Sequence, residues 1–205
     1  MSDFDHKLLH NVKLNCFYEI KEYKKNEIIY SEGEKITSVG LILMGEINIS
    51  STTLDGYNYT ISNLSKNDIF GDTLILNNES YVLGNITSLT TTKILFIYKD
   101  NFLSLLKDET FNQNYLKIVS NRIQALQYRI KLISQPSIRE KIMFYLKDEM
   151  RKQKSNKIYL HMTKEKLAIL LNINRPSLSR ELIKLKKEKV IDYDYQSITI
   201  NNIPF

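Results

Sequence analysis

The stretch "NINRPSLSREL" (172–182) gathers two arginines, two serines and two asparagines within its first nine residues. Arg175 and Arg180 can each offer paired N–H groups to the O6 and N7 of guanine, and Asn174, Ser177 and Ser179 carry groups that suit phosphate oxygens or base edges. That chemistry is nucleic-acid recognition. It requires a helix that presents its N-terminal turn, because a helix N-terminus attracts phosphate.

The flanking residues predict such a helix. Asn174 is an N-cap for "RPSLSRELIKLKKEK", and Leu178, Leu182 and Leu185 recur at spacings of 4 and 3 to seat one face. Arg175, Ser177, Ser179 and Arg180 are then left on or near the outward side. Pro176 stands in the first turn, where backbone N–H groups need no intrahelical partner. Upstream, Thr163 caps "KEKLAILL", with Leu167, Ala168 and Leu171 inward. Two short helices joined by a tight turn, the second basic, form the helix-turn-helix plan. "VIDYDYQSITI" alternates after it and reads as a two-stranded wing with Tyr195 to Ser197 in its turn.

Charge points the same way. Residues 1–136 hold 14 Lys and Arg against 15 Asp and Glu, whereas residues 137–205 hold 15 against 8. A basic surplus confined to the C-terminal third suits a polyanion, nucleic acid before membrane. Hydrophobic residues at 42% and charged residues at 25% are an ordinary globular composition. The apolar runs are too short to span a bilayer, and "MSDFDHKLLH" lacks the apolar core of a signal peptide, so a cytoplasmic protein is expected. Cys16, the single cysteine, excludes an internal disulfide and an iron–sulfur cluster ligated by cysteines of this chain alone.

Ahead of this segment, residues 5–18 carry Leu8, Leu9, Val12 and Cys16 at helical spacing, which predicts a short helix. Short segments rich in Ile, Tyr and Thr follow to residue 98, punctuated by Gly33, Gly45, Gly56 and Gly71, and predict a barrel, sandwich or roll. A long helix should begin near Asn101. Within it Leu116, Val119, Ile123, Leu126, Ile130 and Ile133 recur at gaps of 3 and 4, the seam of a coiled coil, so pairing with a second copy is expected. "SQPS" (134–137) ends this helix at Pro136 and supplies a hinge, and Ser137 with Glu140 forms a capping box for the next. The division is a sensing domain over 1–110, a dimerisation helix and hinge over 111–136, and a DNA-binding domain over 137–205.

With these segments in this order, the chain resembles the bacterial CRP/FNR family of transcription regulators, named for the cyclic AMP receptor protein and the fumarate-nitrate reduction regulator. The resemblance rests on "SEGEKITSVGLILMGEINIS", "DGYNYTISNLSKNDIFGD" and "MTKEKLAILLNINRPSLSRELIKLKKEKVIDYDYQSITI", and covers nearly all residues. It implies an α+β fold of a cyclic-nucleotide-binding-like β-roll, a long dimerisation helix and a winged helix-turn-helix. It also implies a homodimer on a roughly palindromic operator, its two recognition helices in major grooves about 34 Å apart, with RNA polymerase as a further partner. By position, Thr163, Lys164, Asn174, Ser177 and Lys184 fall at phosphate contacts, and Arg175, Pro176, Ser179 and Arg180 on the base-reading face. Pro176 departs from the family's usual glutamate and cannot accept a bond from cytosine N4.

The resemblance places an effector pocket at Phe70, Gly71, Asp72, Val82, Leu83 and Gln127. Cyclic-AMP binders carry an Arg-Ser pair for the cyclic phosphate where Val82 and Leu83 stand here, so no cyclic nucleotide is expected; an unknown small-molecule effector is. His6, His10 and Cys16 make a poor case for haem, and no cofactor or metal is expected. An enzyme is not expected either: P-loop, metal-spaced His/Cys cluster and nucleophile elbow are all missing from the sequence. The competing reading is a ligand-binding signalling module whose helix-turn-helix has become a protein-interaction surface.

Overall fold

The computed structural model describes residues 4–53, 55–77, 81–194 and 196–201. The chain divides into two compact units, Met1–Ser120 and Asn121–Phe205, and its fold is α+β.

The first unit is a β-roll. Strands β1 (Tyr18–Tyr23), β3 (Ser38–Met44), β6 (Ile69–Phe70) and β8 (Thr92–Tyr98) form one antiparallel sheet in the order β1-β8-β3-β6. Strands β2 (Ile28–Tyr30), β4 (Glu46–Thr52), β5 (Asn58–Ser65) and β7 (Asn85–Ser88) form the other, in the order β2-β7-β4-β5. The run "ILFIY" lies at the centre of the first sheet, and its period-two alternation feeds two cores. Ile94 and Phe96 join Ile42, Ile47, Phe70 and Ile86 inside the roll. Leu95 and Ile97 pack on the opposite face with Val39, Leu41, Phe102 and Phe111. Gly45 turns β3 into β4 at φ +88°, and a Cβ there would meet the Thr91 carbonyl oxygen at 2.5 Å, so glycine is required on both counts.

Two expectations are corrected here. The segment 5–18 is not a helix: only Lys7–Leu9 form a single 3₁₀ turn, and Asn11 adopts φ 59°. Tertiary partners have replaced helical ones. The Asn114 side-chain amide donates to the Leu8 and His10 carbonyls, and the Lys7 N–H donates to Asn67 Oδ1. Leu8, Leu9 and Val12 are nevertheless buried, so their spacing marks a packed strap. The helix expected from Asn101 is broken in two, α2 (Lys99–Leu105) and α3 (Glu109–Ile133), because the Asp108 carboxylate accepts the Phe111 N–H at 2.8 Å and starts a new helix. A further short helix, α1 (Asp72–Leu76), follows β6.

In the second unit, α4 (Ile138–Gln153) starts at Ser137, whose Oγ accepts the Glu140 N–H at 3.1 Å. Then come β9 (Lys157–Tyr159), α5 (Lys164–Leu170), α6 (Arg175–Lys187), β10 (Ile191–Tyr193) and β11 (Ser197–Ile200). The wing has three strands where two were expected, in the order β10-β11-β9. Ile158 of β9 pairs with Ile198 of β11, and the two enter one core with Leu146, Leu167, Leu182 and Ile191. Tyr195, expected in the wing turn, lies outside the described residues.

Candidate nucleic-acid interface

Helix α6 owes its start to Asn174, which has extended angles and whose Oδ1 accepts the Ser177 N–H at 2.8 Å. Pro176 occupies the second position of that helix, where its missing N–H costs no intrahelical bond. Leu178, Leu182 and Leu185 are at most 1% exposed and seat the helix on Leu167, Ala168 and Leu171. Truncating a leucine so buried costs about 2 to 5 kcal/mol, whereas the half-exposed Arg139–Glu188 ion pair at 2.6 Å contributes at most about 1 kcal/mol. Apolar packing therefore fixes the orientation of α6. Asn172, at φ 52°, turns the chain between α5 and α6, and α5 is capped by Thr163, whose Oγ1 accepts the Lys166 N–H at 3.2 Å.

With the leucines inward, Arg175, Pro176, Arg180 and Lys184 are exposed, and Ser177 and Ser179 are half-buried beside them. The Arg180 side chain runs back along its own helix, donating from Nε to the Pro176 carbonyl at 3.4 Å and from Nη2 to Ser177 Oγ at 3.3 Å. Lys164 Nζ lies 4.7 Å from the centre of the Tyr193 ring, and Lys186 Nζ lies 5.1 Å from the same ring. Lys186 also pairs with Asp192 at 2.6 Å; their hydrogen bond raises the lysine pKa and lowers that of the carboxylate. Asp194 closes the wing turn by accepting the Gln196 and Ser197 N–H groups, which hold its carboxyl below the usual range. A cavity of about 710 Å³, lined by Thr163, Lys164, Arg175, Tyr193 and Gln196 among others, separates the α5 N-terminus from the wing. The Lys164–Tyr193–Lys186 stack was missed in the sequence. Its one local signal was a tyrosine in the alternating run "VIDY" (190–193) that follows the basic helix.

The profile of the cyclic nucleotide-binding domain family matches residues 20–109, and that of the Crp-like helix-turn-helix domain matches residues 140–204. The cyclic AMP receptor protein of Thermus thermophilus is 20% identical over 85% of this chain and 80% of its own length. The HTH-type transcriptional regulator ArcR of Staphylococcus epidermidis is 26% identical over 87% and 79%. Among solved structures, a CooA mutant from Carboxydothermus hydrogenoformans aligns with a TM-score of 0.62 at 18% identity, covering 90% of this chain and 84% of that one. The chain belongs to the CRP/FNR family of transcription regulators. Its helix-turn-helix is the DNA-binding domain of that family.

Within this CRP/FNR roll, the residues of the expected effector pocket differ in burial. Phe70 and Val82 are buried in the roll core. Asp72 follows the left-handed Gly71, is 2% exposed, and accepts a hydrogen bond from the buried Tyr115 hydroxyl at 3.1 Å. Leu83 is 71% exposed, and Gln127 is an exposed residue of the second unit. Of the expected seam on α3, Leu116, Ile123, Leu126 and Ile130 are 50 to 61% exposed, while Val119 and Ile133 are half-buried.

The N-terminal histidines are placed apart in role. His6 is buried and its Nδ1 accepts the Leu8 N–H at 3.1 Å; burial pushes its pKa down. His10 is exposed, and Cys16 is half-buried with its thiol pKa raised by burial. No helix among the described residues is long and apolar enough to cross a membrane.

Proposed function

We propose that the chain is a homodimeric, sequence-specific DNA-binding regulator whose DNA affinity is set by an effector at the β-roll, and that this effector is not a cyclic nucleotide. The observation that carries the reading is the N-terminal half of α6: Asn174 caps it, buried leucines seat it, and Arg175, Pro176 and Arg180 stand exposed. Such a surface offers charge-assisted donors to base edges and phosphates. RNA polymerase is the further partner that regulation of transcription implies, and the cytoplasm is the compartment where both are met.

The dimer is supported by the seam. Four large apolar side chains spaced by 7, 3 and 4 along α3 are half or more exposed, a face that a second copy of the same helix would cover. Replacing Ile123 and Leu126 by Asp sets like charges against each other in that seam; light scattering is expected to give a monomer mass. A dimer mass for the double variant places the interface elsewhere.

The effector reading is supported by chemistry at the roll. Neither Val82 nor Leu83 can neutralise a phosphate, and the Asp72 carboxylate is already engaged by Tyr115. A ligand acts by binding one arrangement of the dimer better than another, through the seam and the "SQPS" hinge. Calorimetric titration with cyclic AMP and with cyclic GMP is expected to give no micromolar isotherm; either isotherm overturns this part of the proposal.

A further inference from the structure

Ser177 falls at a position where phosphate contact was expected, yet its hydroxyl faces along the helix. Side chains of an α-helix lean toward its N-terminus, so the guanidinium of Arg180 lies over the first turn, three and four residues back. There it meets two neutral acceptors, Ser177 Oγ at 3.3 Å and the Pro176 carbonyl at 3.4 Å. A carboxylate at 176 would stand four residues ahead of Arg180, the favoured spacing for an ion pair. Proline removes that competitor and leaves Ser177 as the side chain that steers the arginine. Nε and one Nη2 hydrogen are engaged by the helix, and the Nη1/Nη2 end of the fork is left for a bidentate partner. The Ser177 N–H is separately occupied by the Asn174 cap, so the hydroxyl can be removed without opening the helix start.

We propose that Ser177 is a positioning residue for base reading: its hydroxyl orients the Arg180 guanidinium toward the groove floor, and it acts on sequence preference rather than on phosphate affinity. The proposal rests on α6 being the DNA-reading helix. A side chain already held in its reading geometry loses less conformational freedom on binding, and that advantage is realised only at the base pair Arg180 contacts.

The test uses the full chain in binding-site selection from random duplexes, with salt titrations on the selected site. Arg180→Ala identifies the base pair read. Ser177→Ala is expected to weaken preference at that same pair by about three- to tenfold, the worth of one hydrogen bond, while the slope of log affinity against log salt stays as in the parent chain. Ser177→Thr, which keeps the hydroxyl, should restore the preference. If Ser177→Ala instead lowers affinity equally for all sequences and reduces the salt slope, the residue is a phosphate contact and the proposal falls. If Arg180→Ala itself leaves the profile unchanged, the reading of α6 fails and the proposal fails with it.

Discussion

Pro176 and His6 show how one residue's chemistry narrows what its neighbours can do. Proline at the second position of α6 leaves the helix intact and takes a hydrogen-bond acceptor away from the reading face. His6 is constrained differently. Its Nδ1 must be unprotonated to accept the Leu8 N–H, so the neutral ring carries its proton on Nε2, which faces the Asp68 carbonyl at 3.4 Å. Burial lowers its pKa, so the unfolded chain binds the proton more tightly than the folded one. The stabilising contribution is therefore present above the ordinary histidine value of about 6.5 and is lost as pH falls below it, until the folded-state value is passed. The unfolding midpoint of the full chain should drop on acidification through that window, and the drop should be smaller in His6→Asn, which keeps a capping acceptor without a titrating ring. An equal drop in the variant assigns the effect to other groups.

Elements in this chain are fixed as much by their ends as by their faces. Ser137 starts α4 just after Pro136, accepting the Glu140 N–H and donating to the Glu140 carboxylate at 2.6 Å. Ser137→Ala should lower the stability of the second unit by about 1 kcal/mol and Ser137→Asp by far less, since aspartate caps comparably; urea unfolding followed by circular dichroism checks this. Equal losses would show that the hydroxyl's bond to Glu140 matters more than the cap. Capping chemistry is local, which is why Ser137, Thr163 and Asn174 were legible from sequence with their helices. The strap at 5–18 was not legible, because its helical spacing is satisfied equally by a 3₁₀ turn whose backbone partners, Asn67 and Asn114, lie 60 and more than 100 residues away. The segment "KIYLHM" (157–162) reads as a short strand from its sequence, but its place in the wing was not legible for a similar reason: β9 joins β11 through Ile158 and Ile198, forty residues apart.

At the scale of the whole molecule, the basic surplus of residues 137–205 predicts how binding responds to salt. Each phosphate neutralised contributes about 0.9 to the slope of log affinity against log salt, so affinity for short duplexes should fall steeply as salt rises. Lys184→Ala should reduce the slope by about 1, the share of a single phosphate, and leave sequence preference intact. Binding indifferent to salt would favour a protein-interaction surface over DNA. The order of β-rich segment, long helix and helix-turn-helix was determined by the sequence alone, because periodicity, caps and charge are short-range signals that survive in one dimension; that the β-rich segment is a roll came from the family resemblance. What only the tertiary structure decided is which side chains are free to act. Asp72 is engaged by Tyr115, and Lys164 and Lys186 lean on Tyr193. Such choices depend on which neighbour reaches a polar group first in space, a competition that residue spacing does not encode.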